Sequence, residues 1–572
     1  MVTITIDRKT VSVPKGSTIL DAAAVAAVKI PTLCHIQGLH EIGACRVCVV
    51  EAEGQERLLA ACNTVVEDGM VLFTNTEPVR LARKTNLELM LAGHDSNCPS
   101  CVRNGNCSLQ SMAGDFNIQD IPFEKRLPRS RWDKSMPLIR NEAKCINCLR
   151  CVSVCDKVQS LGVWTFNGSG SHAKVCVAGA VPLMQANCSL CGQCITHCPV
   201  GALQERDDTE TVFAALNDPD KIVVMQVAPA VRAAWGDSVG LSAEIATEGR
   251  MVAALRSLGA RYVFDTNFSA DLTIMEEGSE FIERMAHPGD YPMPMLTSCC
   301  PGWVRFLKLE YPQFVENLST AKSPQQMFGA VAKSYFAQRI GADPEKIFCV
   351  SVMPCTAKKY ECDVAEVNDA AAKDVDAVLT TREFGRMLRS MQVNLEALPE
   401  EDFDSPLGEG SGAAVIFGAT GGVMEAAVRS AYFLLTGENP QADAFEELRG
   451  LAGWREKTLE IRGTTVRLAI ASGLGNARRL LEAVEAGEVS YDFIEVMACA
   501  GGCAGGGGQP ICDGAELAGE RGARLYALDK ANALRFSHEN QAVQRLYGEY
   551  LEAPLSHKSH ELLHTHQEAW KL

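Results

Sequence analysis

The stretch Met497-Ala498-Cys499-Ala500-Gly501-Gly502-Cys503-Ala504-Gly505-Gly506-Gly507-Gly508-Gln509-Pro510 places two cysteines four positions apart within a run of glycines. Thiolates at that spacing can address one metal centre, and glycine, lacking a Cβ, lets backbone amides come close to ligand sulfurs. Phe493 to Met497, just before it, is a short apolar run of the kind a buried strand presents. The combination reads as a buried metal cradle past the end of a strand. Ligands gather at that end of open α/β sheets, so the stretch favours a large α/β domain.

Two further cysteine loops follow or end apolar runs. They are Thr297-Ser298-Cys299-Cys300-Pro301-Gly302-Trp303 and Met353-Pro354-Cys355-Thr356-Ala357-Lys358-Lys359, the latter completed by Glu361. A phosphate-binding glycine loop is disfavoured because no Gly-Lys-Ser/Thr follows the glycines. From spacing alone, Cys300, Cys355, Cys499 and Cys503 form a thiolate set able to hold a 4Fe-4S cube. Together the three loops resemble the active-site signatures of the iron-only (FeFe) hydrogenases.

At 572 residues and 47% hydrophobic content, the chain is long enough for several domains and a large core. Its 24 cysteines are the exceptional quantity. Met1 to Val13 alternates polar and apolar residues and forms no apolar leader, so a cytoplasmic protein is expected. In that reducing setting, thiols on iron-sulfur spacings are metal ligands and not disulfides. No run approaches the ~18 consecutive apolar residues of a membrane span. A formal charge of −17 argues against nucleic acid and anionic membrane surfaces as partners.

Val2 to Ile6 and Thr10 to Val13 alternate as two strands, and Ser17-Thr18 cap an Ala-rich helix expected to reach about Lys29. Cys34, Cys45, Cys48 and Cys62 then form a grouping that holds a 2Fe-2S centre in plant-type ferredoxins, here with a longer first gap. A zinc ribbon would carry two tight cysteine pairs, and only Cys45/Cys48 is tight. A helix-like start from Leu81 to Leu91 leads into His94, Cys98, Cys101 and Cys107. Three thiolates leave a 4Fe-4S cluster one ligand short, and the His94 imidazole completes the set. Both modules are similar to those of FeFe hydrogenases and of the large cluster-bearing subunit of respiratory complex I.

An internal repeat follows. Cys145, Cys148, Cys151 and Cys155 are matched by Cys188, Cys191, Cys194 and Cys198-Pro199 on the same spacing, although Asp156 stands where the first run would have proline. In two-cluster ferredoxins the fourth cysteine of each run serves the other cluster. One cube is therefore expected on Cys145, Cys148, Cys151 and Cys198, the other on Cys188, Cys191, Cys194 and Cys155. Cys176, between the runs, lies outside any motif.

Beyond Asp207-Asp208, apolar strand-like runs alternate with helical patterns. Lys221 to Val227, Ile347 to Met353, Val415 to Phe417, Val466 to Ala471 and Phe493 to Met497 read as buried strands. From Asn540 to the C-terminus the chain reads as helical, with mostly solvated histidines. The organisation expected is multidomain: an α+β ferredoxin-like (β-grasp) 2Fe-2S domain over 1–79, a small His/Cys3 4Fe-4S domain over 80–126, a two-cluster ferredoxin domain over 127–208, and a large α/β catalytic domain over 209–572.

The resemblance implies more than spacing can. The cube would join through Cys503 to a two-iron unit with CO, cyanide and a bridging azadithiolate, the whole being the H-cluster. Lys358 and the backbone of Ala228, Pro229 and Ala230 would hold the cyanides, while Met353, Phe417 and Met497 would pack the diiron unit. Ala230 stands where some members have serine. Cys299, next to ligand Cys300, matches the proton-donating cysteine of the family. Glu277 and Glu280, three apart on one helical face, with Ser319 between them, match the proton relay.

The resulting expectation is a monomeric FeFe hydrogenase that reversibly reduces protons to H2. Electrons would come from ferredoxin or a similar soluble carrier, through one 2Fe-2S and three accessory 4Fe-4S clusters, and separate maturation enzymes would supply the diiron unit. A subunit of an electron-bifurcating NAD-linked hydrogenase shares these modules but usually carries a further C-terminal cluster domain, and nothing after Cys512 could ligate one. Hydrogen sensors alter the relay cysteine, whereas Cys299 is intact. Cluster-assembly adaptors depart from the full active-site and relay set.

Overall fold

The computed structural model describes residues 1–128, 132–287, 289–513 and 515–568. Parts of the expected ferredoxin domain (129–131), catalytic domain (288, 514) and C-terminal helical stretch (569–572) lie outside the described residues. The two expected strands, β1 (Val2–Ile6) and β2 (Lys9–Val13), pair as an antiparallel hairpin. Thr18 caps helix α1 (Ile19–Val25) in a reciprocal capping box with Asp21. The helix ends at Val25, short of Lys29, because Ala27 takes a φ of 51° and the Val28 amide turns back to the Ala23 carbonyl.

Strands β3 (Val49–Ala52), β4 (Leu59–Ala60) and β5 (Val71–Phe73) complete a sheet ordered β2-β1-β5-β3-β4. Cys48 and Cys62 belong to the core under it, with Ile4, Ile6, Ile19 and Leu72. Helix α2 (Glu77–Ala92), with Pro78 in its first turn, stops at Gly93 immediately before His94. Leu87 and Leu91 of α2 pack into one core with Cys34, Cys45 and most of the paired cysteine runs. In that region β6 (Leu138–Arg140), β7 (Trp164–Asn167), β8 (Lys174–Val177) and β9 (Leu203–Glu205) form two ribbons, β6-β9 and β7-β8. Cys176 sits on β8, opposite Thr165 in the β7-β8 ribbon.

The remainder is built on two sheets. β10 (Ile222–Val227) and β11 (Tyr262–Asp265) precede the long helix α3 (Thr266–Ala286), and β12 (Met295–Leu296), β13 (Ile347–Met353) and β14 (Ala377–Thr380) follow. β15 (Trp454–Ile461), β16 (Thr464–Ser472) and β17 (Phe493–Met497) complete the set. One sheet is fully parallel, ordered β11-β10-β13-β14; the other runs β12-β17-β16-β15, antiparallel only in the β15-β16 hairpin.

Val415 to Phe417 is not a strand. Gly412–Val415 is helical, with the Ser411 hydroxyl accepting from the Ala414 amide, and Ile416–Gly418 continues as a 3-10 turn. An apolar run this short carries no period, and the Ser411 cap, itself held by Asp271, decides for helix. The C-terminal stretch is helical in pieces, including Gln541–Leu546 and His557–Leu563, interrupted where Glu552 and Leu555 take positive φ. His557, His560 and His566 are exposed as expected, but His564 is buried.

Candidate active site and its cluster centres

Four strands end at one place. β10 stops at Val227 before Ala228, β12 at Leu296 before Cys299, β13 at Met353 before Cys355, and β17 at Met497 before Cys499. The segments beyond them, with Phe417 and Cys503, enclose a cavity of about 80 Å³. Ala228, Pro229, Ala230, Cys299, Cys300, Met353, Cys355, Lys358, Phe417, Met497 and Cys503 all line it. Cys499 lies buried behind this wall, its Sγ 3.8 Å from the Cys191 carbonyl. Sequence reasoning missed Thr266, Pro324, Gln325 and Gly418, which line the same space but sit in no cysteine motif.

The glycines serve a tighter purpose than approach to sulfur. A Cβ on Gly506 would strike the Pro354 carbonyl, one on Gly507 the Cys191 carbonyl, and one on Gly508 would lie 2.7 Å from the Cys355 amide nitrogen. The loop is wedged between two cysteine loops at backbone contact, and Gly501 and Gly502 turn it with φ of 77° and 78°.

Burial pushes the thiols of Cys300, Cys355, Cys499 and Cys503 above the ordinary value, and neighbouring thiols add to the effect at Cys355, Cys499 and Cys503, Cys355 reaching about 12. A group of buried thiols that disfavour one another's ionisation becomes a stable thiolate set when metal cations occupy its centre. The residues therefore fit a metal cluster. Burial works to discharge Lys358, but Glu361 at 2.7 Å overrides it and raises the ammonium's pKa. Lys358 Nζ also donates to the Cys299 carbonyl at 3.2 Å, which fixes a cation on the cavity wall. Glu361 is held in turn by Ser323 and Gln325, whose Oε1 has no hydrogen-bond partner. An anionic ligand in this cavity would meet a fixed ammonium.

Helix α3 carries the two candidate relay carboxylates. Ser319 Oγ donates to Glu280 at 2.7 Å, and Arg284, one turn farther along, pairs with Glu280 at 2.6 Å. That i,i+4 pairing was readable in the sequence. Glu277 is 1% exposed, and neither carboxylate oxygen has a hydrogen-bond partner. Burial, then the charge of Glu280, pushes its pKa up to about 8 against the weaker pull of the Ser298 backbone and the Ser319 hydroxyl. Cys299 is open only in part, toward the cavity it lines, and burial followed by Glu277 drives its thiol well above the ordinary range.

Residues 221–507 match the family described as iron only hydrogenase large subunit, C-terminal domain, and 515–569 match iron hydrogenase small subunit. The chain belongs to the iron-only hydrogenases. NADP-reducing hydrogenase subunit HndD of Solidesulfovibrio fructosivorans is 48% identical, over 99% of this hydrogenase and 98% of the relative. Iron hydrogenase 1 of Clostridium pasteurianum is 38% identical over 99% of both chains. A variant of the apo FeFe-hydrogenase HydA1 from Chlamydomonas reinhardtii superposes with a TM-score of 0.57 at 43% identity, covering 63% of this chain and 98% of that one. Accessory regions match a 2Fe-2S iron-sulfur cluster binding domain (1–77), an NADH-ubiquinone oxidoreductase-G iron-sulfur binding region (83–122) and a 4Fe-4S binding domain (181–204). HndD, named as an NADP-reducing hydrogenase subunit, is matched over 98% of its own length, so extent does not set this hydrogenase apart from that relative.

The hydrogenase's accessory cysteines form a connected row. Cys34 and Cys45 share a hydrogen bond, as do Cys48 and Cys62, which draws Cys45 down to about 6 and Cys48 down to about 7 while their partners rise. His94 is buried with Nδ1 3.0 Å from the Lys144 carbonyl, and burial holds the imidazole below its usual pKa. With Nδ1–H as the donor, Nε2 keeps its lone pair for a metal. Cys107 Sγ reaches the Pro199 carbonyl at 3.7 Å, and Arg103 donates to the Cys198 carbonyl at 2.8 Å. Cys101 presses on Gly201, and Cys98 lies at the opposite end of the same short turn.

On the other flank, His40 places Nε2 2.9 Å from the Cys148 carbonyl, and Arg150 donates to the His35 carbonyl. Both N-terminal centres thus abut the same cysteine run. Cys145, Cys148, Cys151 and Cys198 line one largely apolar cavity of about 20 Å³. Cys155 acts electrostatically on Cys188 and Cys194, and Cys191 on all three. The structure therefore brings the crossed sets together. Among the described residues no three His, Cys, Asp or Glu side chains converge on a point that one ion could occupy; a 4Fe-4S cube spaces its thiolates around its own width.

Proposed function

We propose that this hydrogenase reversibly reduces protons to H2 at an H-cluster held by Cys300, Cys355, Cys499 and Cys503. The observation that carries the reading is the single cavity on which the cysteine loops, the Lys358 ammonium and Cys299 converge. The H-cluster, a 4Fe-4S cube and a diiron unit with CO, cyanide and azadithiolate, would supply the redox centre when bound, with Cys503 among the residues that would hold it. Lys358 and the Ala228-Pro229-Ala230 backbone would hold its anionic ligands, and Met353, Phe417 and Met497 would keep water out. The Cys299 thiol stays protonated, and Glu277, raised to about 8, holds a proton at neutral pH. Ser319, whose hydroxyl pulls on Glu277, donates through Oγ to Glu280, which lines a surface cleft of about 340 Å³. Protons pass Glu280, Ser319, Glu277, Cys299. The test is an infrared spectrum of matured protein: absence of bound CO and cyanide bands would remove the reading.

Electrons reach the cavity through one 2Fe-2S centre on Cys34, Cys45, Cys48 and Cys62, a His94/Cys98/Cys101/Cys107 cluster, and the paired cubes. The 3.8 Å approach of Cys499 to the Cys191 carbonyl supports the last step. The domains are assigned as 1–79, 80–126, 127–208 and 209–572, the first being ferredoxin-like. We assign ferredoxin as the carrier of a cytoplasmic, monomeric enzyme matured by separate proteins. A specific observation favours a second reading, a subunit of an NADP-linked assembly: the relative at 48% identity is named as one. Native mass in cell extract separates the two, together with H2-dependent reduction of ferredoxin against NADP by the purified chain.

A further inference from the structure

We propose that His564 is a positioning residue of the proton route, an inference that rests on Glu280 and Ser319 serving as relay groups. Glu276, one turn before Glu280 on α3, is fully buried, yet every part of its charge is met from the C-terminal segment. Tyr547 OH donates to it at 2.6 Å, the Leu555 amide at 2.9 Å, Ser559 Oγ also donates, and His564 Nε2 lies 3.0 Å away. Burial works against this charge, but His564 first and then the hydroxyls hold its pKa below the ordinary carboxylate value. Glu276 is thus an orienting carboxylate, the reverse of unpartnered Glu277.

The other ring nitrogen completes the connection. His564 Nδ1 is 2.8 Å from Thr320 Oγ1, and the Thr320 amide donates to both Glu280 oxygens at 3.1 Å. The ring thus spans the two groups, with Nε2 on the Glu276 carboxylate and Nδ1 within hydrogen-bond reach of the Thr320 hydroxyl. Two neighbours fix the same segment: the Thr565 amide donates to the Thr320 carbonyl at 2.8 Å, and Gln567 Nε2 to the Ser319 carbonyl at 2.9 Å. Glu276, His564 and Thr320 therefore form a carboxylate–imidazole–hydroxyl series. Its product is the placement of the Thr320 amide on Glu280 and of Ser319 Oγ beside it. A wire of this kind tolerates little displacement, because proton transfer requires hydrogen-bond reach at each step.

The experiment compares His564→Ala, His564→Asn, Thr320→Val and the exposed control His557→Ala in matured enzyme and in the same chain prepared without the diiron unit. His564→Ala is expected to keep the CO and cyanide bands, lose turnover about tenfold, roughly one positioning hydrogen bond, and show a larger solvent deuterium isotope effect. In the chain without the diiron unit, its Thr320 amide should exchange faster. His564→Asn, whose amide can still bond Thr320 Oγ1, should recover part of each change. Thr320→Val should lose turnover without adding to His564→Ala. His557→Ala should match the unmutated enzyme. If His564→Ala does not fold, His564→Asn and Thr320→Val alone decide. Loaded variants with unmutated turnover and isotope effect overturn the proposal, whereas loaded unmutated enzyme with no H2 activity overturns the hydrogenase reading instead.

Discussion

The Nδ1 atom of His94 lies 3.0 Å from the carbonyl of Lys144, the residue immediately before Cys145. One hydrogen bond therefore both sets the tautomer of a candidate ligand and ties its cluster to the next. Imidazole in place of thiolate leaves a cluster less negative and raises its potential. His94→Cys should lower the potential of that centre while keeping four ligands; redox-titrated EPR in which no signal moves would identify His94 as a bystander.

Cys299 and Cys300 are neighbours with separate expected tasks. Cys300 Sγ accepts from the Ala498 amide at 3.5 Å and belongs to the cube set, so Cys300→Ala should cost cluster iron. Cys299→Ala and Cys299→Ser should retain the CO and cyanide bands but lose most turnover, since serine is too weak an acid to replace the thiol. Cys299→Asp should keep appreciable activity. H2 evolution by loaded Cys299→Ala at the unmutated rate would place the proton route elsewhere.

Glu277 links function to stability. Its folded pKa of about 8 lies above the unfolded carboxyl value, so the protein favours the neutral form. That contribution is complete below the unfolded pKa and is lost as pH rises toward about 8. Glu277→Gln, neutral at every pH, should abolish most turnover yet melt higher than the unmutated, cluster-free protein, with a gap that widens from pH 5 to pH 8. A constant gap across that window is the outcome that would refute an elevated Glu277.

Filled motifs imply about 20 iron atoms per matured chain, counting one 2Fe-2S, four cubes and two further irons. Protein made without maturation enzymes should lack only the last two and show no H2 activity. Stoichiometric zinc on elemental analysis would contradict the electron route.

Gly507→Ala should be costly beyond its size. The added methyl meets the Cys191 backbone carbonyl, so either the ferredoxin run or the catalytic loop must shift. A loss of about 2 kcal/mol is expected, seen as a lower melting temperature with reduced iron in the adjoining cubes. Unchanged stability and iron would mean that the two loops are not in backbone contact.

Cysteine spacing made the centres legible because ligand geometry imposes short, local intervals on the chain. Strands such as Ile347–Met353 were equally plain, being buried at every position but Phe348. What escaped was set by distant contact. Val415 to Phe417 offered too few residues to show a period, and its conformation depends on a cap held by Asp271. Thr266 and Gln325 reach the cavity only because of how α3 and its neighbours pack, and His564 joins the relay across a separation of 288 residues to Glu276. No local pattern encodes such meetings.

The clamp on α3 also orders events during synthesis. A ribosome completes Glu276, Glu280 and Ser319 long before Tyr547, Ser559 and His564 leave it, so a nascent chain carries a buried-type carboxylate with none of its donors. Until those residues arrive, Glu276 keeps its hydration, and the helix around it has reason to stay open to solvent. The contacts that enclose Glu276 can therefore form only after every cysteine has been translated.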